Sequence, residues 1–255
     1  MSFNDQIGNT IYFSKAPQRI VSLVPSQSEF LYDLGLGKGL VGVTKFCVHP
    51  EHLRKESVII GGTKQIKVDK IKALKPDLVV ANKEENTKED IKQIKEFCQV
   101  YVSDIKVPED AISMMSDVAS LLRMPFSEQP YLEALAKLKA EKNDRGSALY
   151  LIWRNPYMAA GGDTYINRML ELCGFKNVLK NELRYPELDE AKLVELNPDW
   201  VLLSSEPFPF KEKHIAELQV LLPNAKIELV DGEAFSWYGS RILPAVDYLI
   251  ELTSR

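Results

Sequence analysis

Three short runs in this chain carry side chains that could do chemistry. The first is Cys47-Val-His-Pro-Glu-His52, which sets a thiol and two imidazoles close together. Cys47, His49 and His52 could meet on one ion, but the spacing matches no common structural zinc pattern, and no paired Cys or His follows later in the chain. Pro50 also interrupts the run, so no protein-held metal site is expected. His49 is then an ordinary loop histidine, or a single axial contact to a metal that a ligand brings with it. The second run, Gly161-Gly-Asp-Thr164, stands at a helix start, where free amides could hold an anion; a plain glycine turn capped by Thr164 is the favoured reading. The third is Asp231 with Glu233, acids on a loop that are ordinarily just solvated. No Gly-x-Ser-x-Gly elbow, phosphate loop or nucleophile–base pair can be assembled, so the chain is read as non-catalytic. The rival, a metal-site enzyme on a two-lobed α/β frame, would want several Cys or His converging, and at most Cys47 and His49 offer that.

The aromatics point elsewhere. In open parallel sheets ligands bind outside the carboxyl ends of the strands. The residues just after each predicted strand are Pro25 and Ser26, positions 46–49 and 82–85, then 153–157, 206–210 and 231–241. Phe46, Trp153, Tyr157, Tyr185, Phe208, Phe210, Phe235, Trp237 and Tyr238 are concentrated there. Loops normally shed large aromatics, so these favour a flat, partly apolar ligand in a cleft over plain packing between lobes.

The elements that must position these residues alternate between strand and helix. Buried-strand runs at 19–24, 40–43, 78–81 and 100–102 are separated by helical patterns at 68–74 and 89–97, with Asn86-Thr87 able to cap the latter. Ser26-Gln-Ser-Glu29 fits a capping box for a helix closing at Gly35. Gly35, Gly37 and Gly39 follow a helix rather than a strand, so they read as a helix end and turn, not a dinucleotide fingerprint. A helix over 108–122 precedes one long helix over 127–143, roughly 25 Å at 1.5 Å per residue. It starts at Ser127, with Tyr131, Leu135 and Leu138 as its apolar stripe, widened by Leu132 and Ala136. The second half repeats the alternation, with strands at 148–153, 200–203 and 226–230 and helices ending at Cys173, Leu196, Leu222 and Leu252.

One unit is used twice. Leu74-Lys-Pro-Asp-Leu-Val-Val80 and Leu196-Asn-Pro-Asp-Trp-Val-Leu202 each combine a helix end, a Pro-Asp turn and a strand, and each opens into an acidic loop, at Glu84-Glu85 and at Glu206. The fold class that follows is α/β: two lobes, each with a central, mostly parallel sheet flanked by helices, bridged by one long rigid helix. The expected divisions are an N-terminal lobe at 1–107, a helical segment with the backbone helix at 108–145, and a C-terminal lobe at 146–255.

Composition narrows the classes. The 255 residues carry a net charge of -4, with no basic run, so no nucleic-acid partner is expected. No apolar run approaches the ~20 residues that span a bilayer, so direct membrane insertion is not expected either. Three widely spaced cysteines argue against a disulfide framework. The first residues have neither a basic start nor an apolar core; taken alone, they would leave the chain in the cytoplasm.

Arg19-Ile-Val-Ser-Leu-Val-Pro-Ser-Gln-Ser-Glu29, Val41-Gly-Val43, Gly61-Gly62 and Leu74-Lys-Pro-Asp-Leu-Val79, with the repeated Pro-Asp strand and the mid-chain helix, resemble the helical-backbone substrate-binding proteins of ABC importers. The resemblance runs from about Arg19 to the C-terminus. It implies a non-catalytic protein, with no catalytic cofactor, that holds a metal chelate between two lobes with little closure. Cobalamin is the first such ligand, with a ferric siderophore or haem as alternatives. It implies delivery to a membrane permease, a monomeric state, and a periplasmic or lipid-anchored location, against which a chain without an export signal would be an intracellular carrier or sensor. It marks Phe46, Asn82, Tyr157, Tyr185, Trp237 and Arg241 for the ligand, and the strand-end reading adds Ser26, His49, Trp153 and Tyr238. Asn82 stands where cobalamin binders carry an aromatic. Arg241 is read equally as a ligand contact or as a tie between the terminal helix and its loop. Permease docking falls to one acid per lobe, Glu85 or Glu89 in the first and Glu206 or Glu212 in the second.

Overall fold

Apolar runs with no polar alternation become strands covered on both faces, and this chain has two sets of them. A computed structural model describes residues 2–254. Contacts divide the chain into two units. One holds the residues up to Ile105 together with Glu109–Gln129 and Tyr238–Arg241; the other holds Lys106–Pro108, Pro130–Trp237 and the residues from Ile242 onward.

In the first unit, β1 (Ser2–Asn4) and β2 (Thr10–Tyr12) form an antiparallel hairpin. Then come β3 (Ile20–Ser22), α1 (Pro25–Asp33), β4 (Leu40–Val43), α2 (Leu53–Glu56) and β5 (Val58–Ile59). A two-residue ribbon, β6 (Gly61–Gly62) with β7 (Gln65–Ile66), leads to α3 (Val68–Leu74), β8 (Leu78–Asn82), α4 (Lys88–Lys95) and β9 (Gln99–Ser103). The sheet order is β5-β4-β3-β8-β9, parallel at every step. Val21, Leu23, Ile60, Ile71, Val79, Ala81 and Ile94 fill one core. α5 (Pro108–Leu122) lies almost wholly in this unit.

The second unit begins with α6 (Gln129–Ala140) and continues through β10 (Ser147–Trp153), β11 (Tyr157–Ala159), α7 (Tyr165–Leu172), β12 (Lys176–Asn177), β13 (Glu187–Leu188), α8 (Glu190–Leu196), β14 (Trp200–Ser204), α9 (Glu212–Leu221), β15 (Lys226–Val230), α10 (Gly232–Ser236) and α11 (Ile242–Ser254). Its main sheet path is β13-β11-β10-β14-β15, with β12 pairing β10. The β10, β12, β14 and β15 pairings are parallel, while β11 and β13 add an antiparallel edge. Each unit is thus α/β with a largely parallel sheet, as expected.

Several local expectations are corrected. The mid-chain helix is twelve residues rather than seventeen, about 18 Å. Only Leu135 and Leu138 are buried on it, and Leu132 and Ala136 face out. The capping box at Ser26 does not form: α1 starts at Pro25, whose missing amide suits a first turn, and its N-cap Val24 makes no side-chain cap. Ser26 is buried instead, and Glu29 finds a charged partner described below.

The repeated unit is repeated down to its hydrogen bonds. α3 ends in the left-handed region at Lys75 (φ 48°) and α8 at Asn197 (φ 39°). The Asp after each proline then reaches sideways. Asp77 Oδ2 accepts the amides of Gln18 (2.8 Å) and Arg19 (2.9 Å), just before β3. Asp199 Oδ2 accepts the amide and the hydroxyl of Ser147, both at 2.7 Å, at the start of β10. These ties sit next to the pairs Ile20↔Leu78 and Ala148↔Trp200, so each carboxylate sets the register of its strand against the neighbour.

Hydrogen bonds from the Ser147 amide and hydroxyl hold the Asp199 carboxyl below its ordinary range. A lowered folded pKa stabilises above the unfolded value and is lost as pH falls through the folded one. Asp77→Ala and Asp199→Ala should each lower the unfolding temperature by a few degrees at neutral pH. For Asp199→Ala, calorimetry should show the gap to wild type closing as pH drops below about 4; a gap of constant size down to acid pH refutes the carboxylate's role.

Candidate functional site

Asn82 and Trp153 close strands, and Phe46 follows one closely; the other residues marked for binding lie on neighbouring elements. In the first unit Phe46 is 48% exposed, with Lys45 Nζ 4.9 Å from its ring centroid. Gly62 leaves room for this ring, since a Cβ there would come within 3.1 Å of it. The rest of the 44–52 loop is tied down. Cys47 is buried and donates to Ser28 Oγ at 3.1 Å, with Thr44 Oγ1 at 3.4 Å. Burial pushes its thiol up, so the group stays neutral and is a poor nucleophile or metal ligand. His52 turns the other way, with Nε2 2.8 Å from the Tyr32 hydroxyl and its ring edge-on to Tyr32. His49 is half-buried and acts electrostatically on Glu29. The three side chains of the Cys-His-His run therefore serve three different environments.

Asn82, the last residue of β8, is buried and shapes the acidic loop. Its Oδ1 accepts the amides of Glu84 (2.8 Å) and Glu85 (3.1 Å), and its Nδ2 donates to Ser103 Oγ at 3.0 Å. Asn86 closes the same turn, accepting the Asn82 amide at 2.9 Å. Glu85 is half-buried, while Glu89, in the first turn of α4, is exposed. Ser26 is buried under Tyr238, whose phenol faces Ser26 and Ser103 and is pushed up chiefly by burial.

Arg241 is paired with an acid of α1. Its Nε and Nη2 grip Glu29 Oε2 and Oε1 at 3.1 and 2.6 Å, a two-pronged pair with side chains 18% and 13% exposed. It fastens the 238–241 turn to α1, and Gly239 (φ 81°) lets that turn lie against Ser26 and Phe30. A fork-to-fork pair of this kind is already satisfied, and freeing either partner would strand a charge.

In the second unit Trp153 closes β10 and is 39% exposed. Its ring meets Phe208 edge-on at 5.7 Å. Phe208 in turn packs on Phe210 (4.8 Å) and on His214 (5.4 Å). Arg154 next to it is paired with Glu217 at 2.5 Å. Tyr157 and Tyr185, both half-buried, belong to the antiparallel edge, where Tyr157 lies across from Leu188 and the Arg184 guanidinium sits 6.0 Å from the Tyr185 ring. Trp153, Tyr157 and Phe208 thus gather around the carboxyl end of β10, an interior strand, while Tyr185 precedes the edge strand β13.

Trp237 is placed differently, buried at 8% exposure with its Nε1 donating to Glu206 Oε1 at 2.8 Å. Ser236 Oγ donates to the same oxygen at 3.0 Å. Burial, reinforced by Glu233 and Asp231, pushes the Glu206 carboxyl up, against the pull of those two donors. Glu212, opening α9, is exposed. The glycine turn at 161–164 is a turn: Gly161 and Gly162 donate their amides to the carbonyls of Arg184 and Glu182, both at 2.8 Å, and Thr164 caps α7 through Asn167 at 3.1 Å. Its amides are spoken for. His214 was given no role by the sequence; a histidine three residues past Lys211, behind Pro-Phe-Pro-Phe, was the available signal.

A model of the family described as Periplasmic binding protein matches residues 20–221. An uncharacterized ABC transporter substrate-binding lipoprotein, YvrC, of Bacillus subtilis (strain 168) is 25% identical over 98% of this chain and 84% of its own length. A vitamin B12-binding protein of Vibrio campbellii (strain ATCC BAA-1116) is 27% identical over 76% of this chain and 73% of its own. Among solved structures, a periplasmic heme binding protein from Pseudomonas aeruginosa superposes with a TM-score of 0.80 at 21% identity, covering 93% of this chain and 92% of that one. That likeness concerns the fold. With the family model spanning most of both sheets and all but the first of the residues that resembled the family, this chain belongs to the periplasmic binding protein family.

Proposed function

We propose that this protein is the non-catalytic substrate-binding component of an ABC importer, and that its ligand is a metal chelate, a cobalamin-type corrinoid first. The observation that carries the reading is the pair of part-exposed aromatic surfaces at the carboxyl ends of two parallel sheets, Phe46 in one unit and Trp153 on Phe208 in the other. Flat apolar faces with few free charges suit a macrocycle. The relatives named for ABC transport and for vitamin B12 support the importer role and the ranking. A ferric siderophore would want free cations to meet its oxygens. Here Arg241 is held by Glu29, Arg154 by Glu217 and Lys83 by Asp104, which weighs against it. Haem stays as the second reading because half-buried His49 lies close to Phe46 in sequence and could supply an axial nitrogen. In this role the protein works outside the cytoplasm and meets a permease through one acid on each unit. Glu89 and Glu212 fit best, since both are exposed in the first turn of the helix that follows an equivalent strand, β8 or β14.

Titrating the purified protein with cobalamin, haem and a ferric siderophore in parallel, by tryptophan fluorescence, should give saturable quenching at micromolar Kd or tighter with cobalamin. Phe46→Ala and Trp153→Ala should each weaken it by about tenfold, the worth of one stacking contact. A Soret shift with haem that disappears in His49→Ala would move the assignment to haem.

Reversing charge at both Glu89 and Glu212, to Lys, should abolish transport in a reconstituted importer while leaving the Kd for ligand within about twofold, as expected for exposed acids that meet a partner. Full transport by the double variant would reject these docking positions.

A further inference from the structure

His214 sits where it can control the aromatic face of the second unit. It is 3% exposed, and its ring packs on Phe208 at 5.4 Å and edge-on to Phe210 at 5.5 Å. Phe208 is the ring on which Trp153 rests. His214 is also the third residue of α9, and its Nδ1 accepts the amide of Lys211, the residue before the helix, at 2.8 Å. A glutamate or glutamine usually makes this reach-back bond. An acceptor at Nδ1 requires the neutral ring with its proton on Nε2. The same imidazole therefore caps the helix and backs the Phe208–Trp153 pair.

We infer that His214 is a positioning residue for this face, holding Phe208 and Trp153 in place while neutral and releasing them when protonated. Protonation turns Nδ1 into a donor facing the Lys211 N–H, so the cap bond is lost. It also sets a buried charge beside Arg154, which reaches over from the end of β10 to pair with Glu217 one turn along α9. Lys211 and Lys213 add positive charge from the helix start, and Glu217, already bound to Arg154, opposes them. Desolvation first, and Arg154 second, keep the ring from taking up a proton until pH falls below its ordinary range. For a base with a lowered folded pKa, the stabilisation is complete above about 6.5 and is lost as pH falls through the folded value. An importer component with this device would hold its ligand at neutral pH and loosen one wall of the site in acid.

The inference rests on the reading that Trp153 and Phe208 form part of the ligand surface, yet its test needs no ligand. The readout is acrylamide quenching of Trp153 in the apo protein, taken as the difference between wild type and Trp153→Phe, from about pH 7.5 to about pH 5. Quenching should rise about twofold on acidification in wild type and stay flat in His214→Gln, which keeps an acceptor for the Lys211 amide but does not titrate. With only three histidines in the chain, the His214 ring protons can be followed by NMR in the wild-type protein, independently of how the variant folds. Their midpoint should coincide with that of the Trp153 change. Trp153 quenching that is unchanged across the His214 titration, or an acid response that persists in His214→Gln, overturns the inference. Because no ligand is present, failure of the cobalamin and haem titrations would bear on the proposed ligand and not on this device.

Discussion

A parallel strand enters its sheet with no hairpin to fix its register, so the register has to be set from outside the ladder. In this protein a carboxylate does that work in each unit. Asp77 and Asp199 follow a left-handed helix end and a proline, and both reach the chain just as the neighbouring strand begins. The left-handed residue turns the chain off the helix and the proline forbids its continuation. What remains is a short extended segment whose Asp can only look sideways. A slip of one residue would put every core side chain of β8 or β14 on the wrong face, so one bridging carboxylate protects a whole layer of packing.

That register decides where the strands stop, and with it where the loops after them begin. β8 ends at Asn82 and β14 at Ser204, and in both the final side chain accepts an amide from the acidic loop that follows: Asn82 from Glu84 and Glu85, Ser204 from Glu206 at 3.3 Å. The duplication thus extends past the sheet into the loop backbone. Beyond those first turns the loops diverge, in length (83–87 against 205–211) and in their side chains. The first unit keeps Asn82 as an internal strut, while the second turns Glu206 inward to Ser236 and Trp237.

Most of the frame was legible because it is periodic. β4, α3, α5 and β15 fall at their predicted bounds, and the Pro-Asp repeat already marks the two sheets as equivalent. The antiparallel edge of β11 and β13 escaped because elements of three and two residues carry no period to read. Long-range polar pairing escaped for a different reason. Glu29 and Arg241 are 212 positions apart, and nothing local in Ser26-Gln-Ser-Glu29 reveals that its acid belongs to a distant guanidinium rather than to its own helix start. The aromatic residues of the site were visible as types, but sequence could not sort the part-exposed Phe46 and Trp153 from the buried Trp237 and Tyr238.

Burial also discriminates among the acids. A carboxylate that docks on a cationic partner must be solvated beforehand and give up little on leaving its own protein. Glu206 is not solvated in this way: burial raises its pKa, and a hydroxyl and an indole hold it in place. Glu89 and Glu212 carry no such commitment, and each lies at the positive end of a helix dipole, where a negative charge is stabilised without being neutralised. Two solvated acids on equivalent helices form a matched pair in a way that Glu85 and Glu206, chosen by their distance from the prolines, do not. The repeat in the sequence marks two equivalent loops, and the helices that follow them carry the exposed acids.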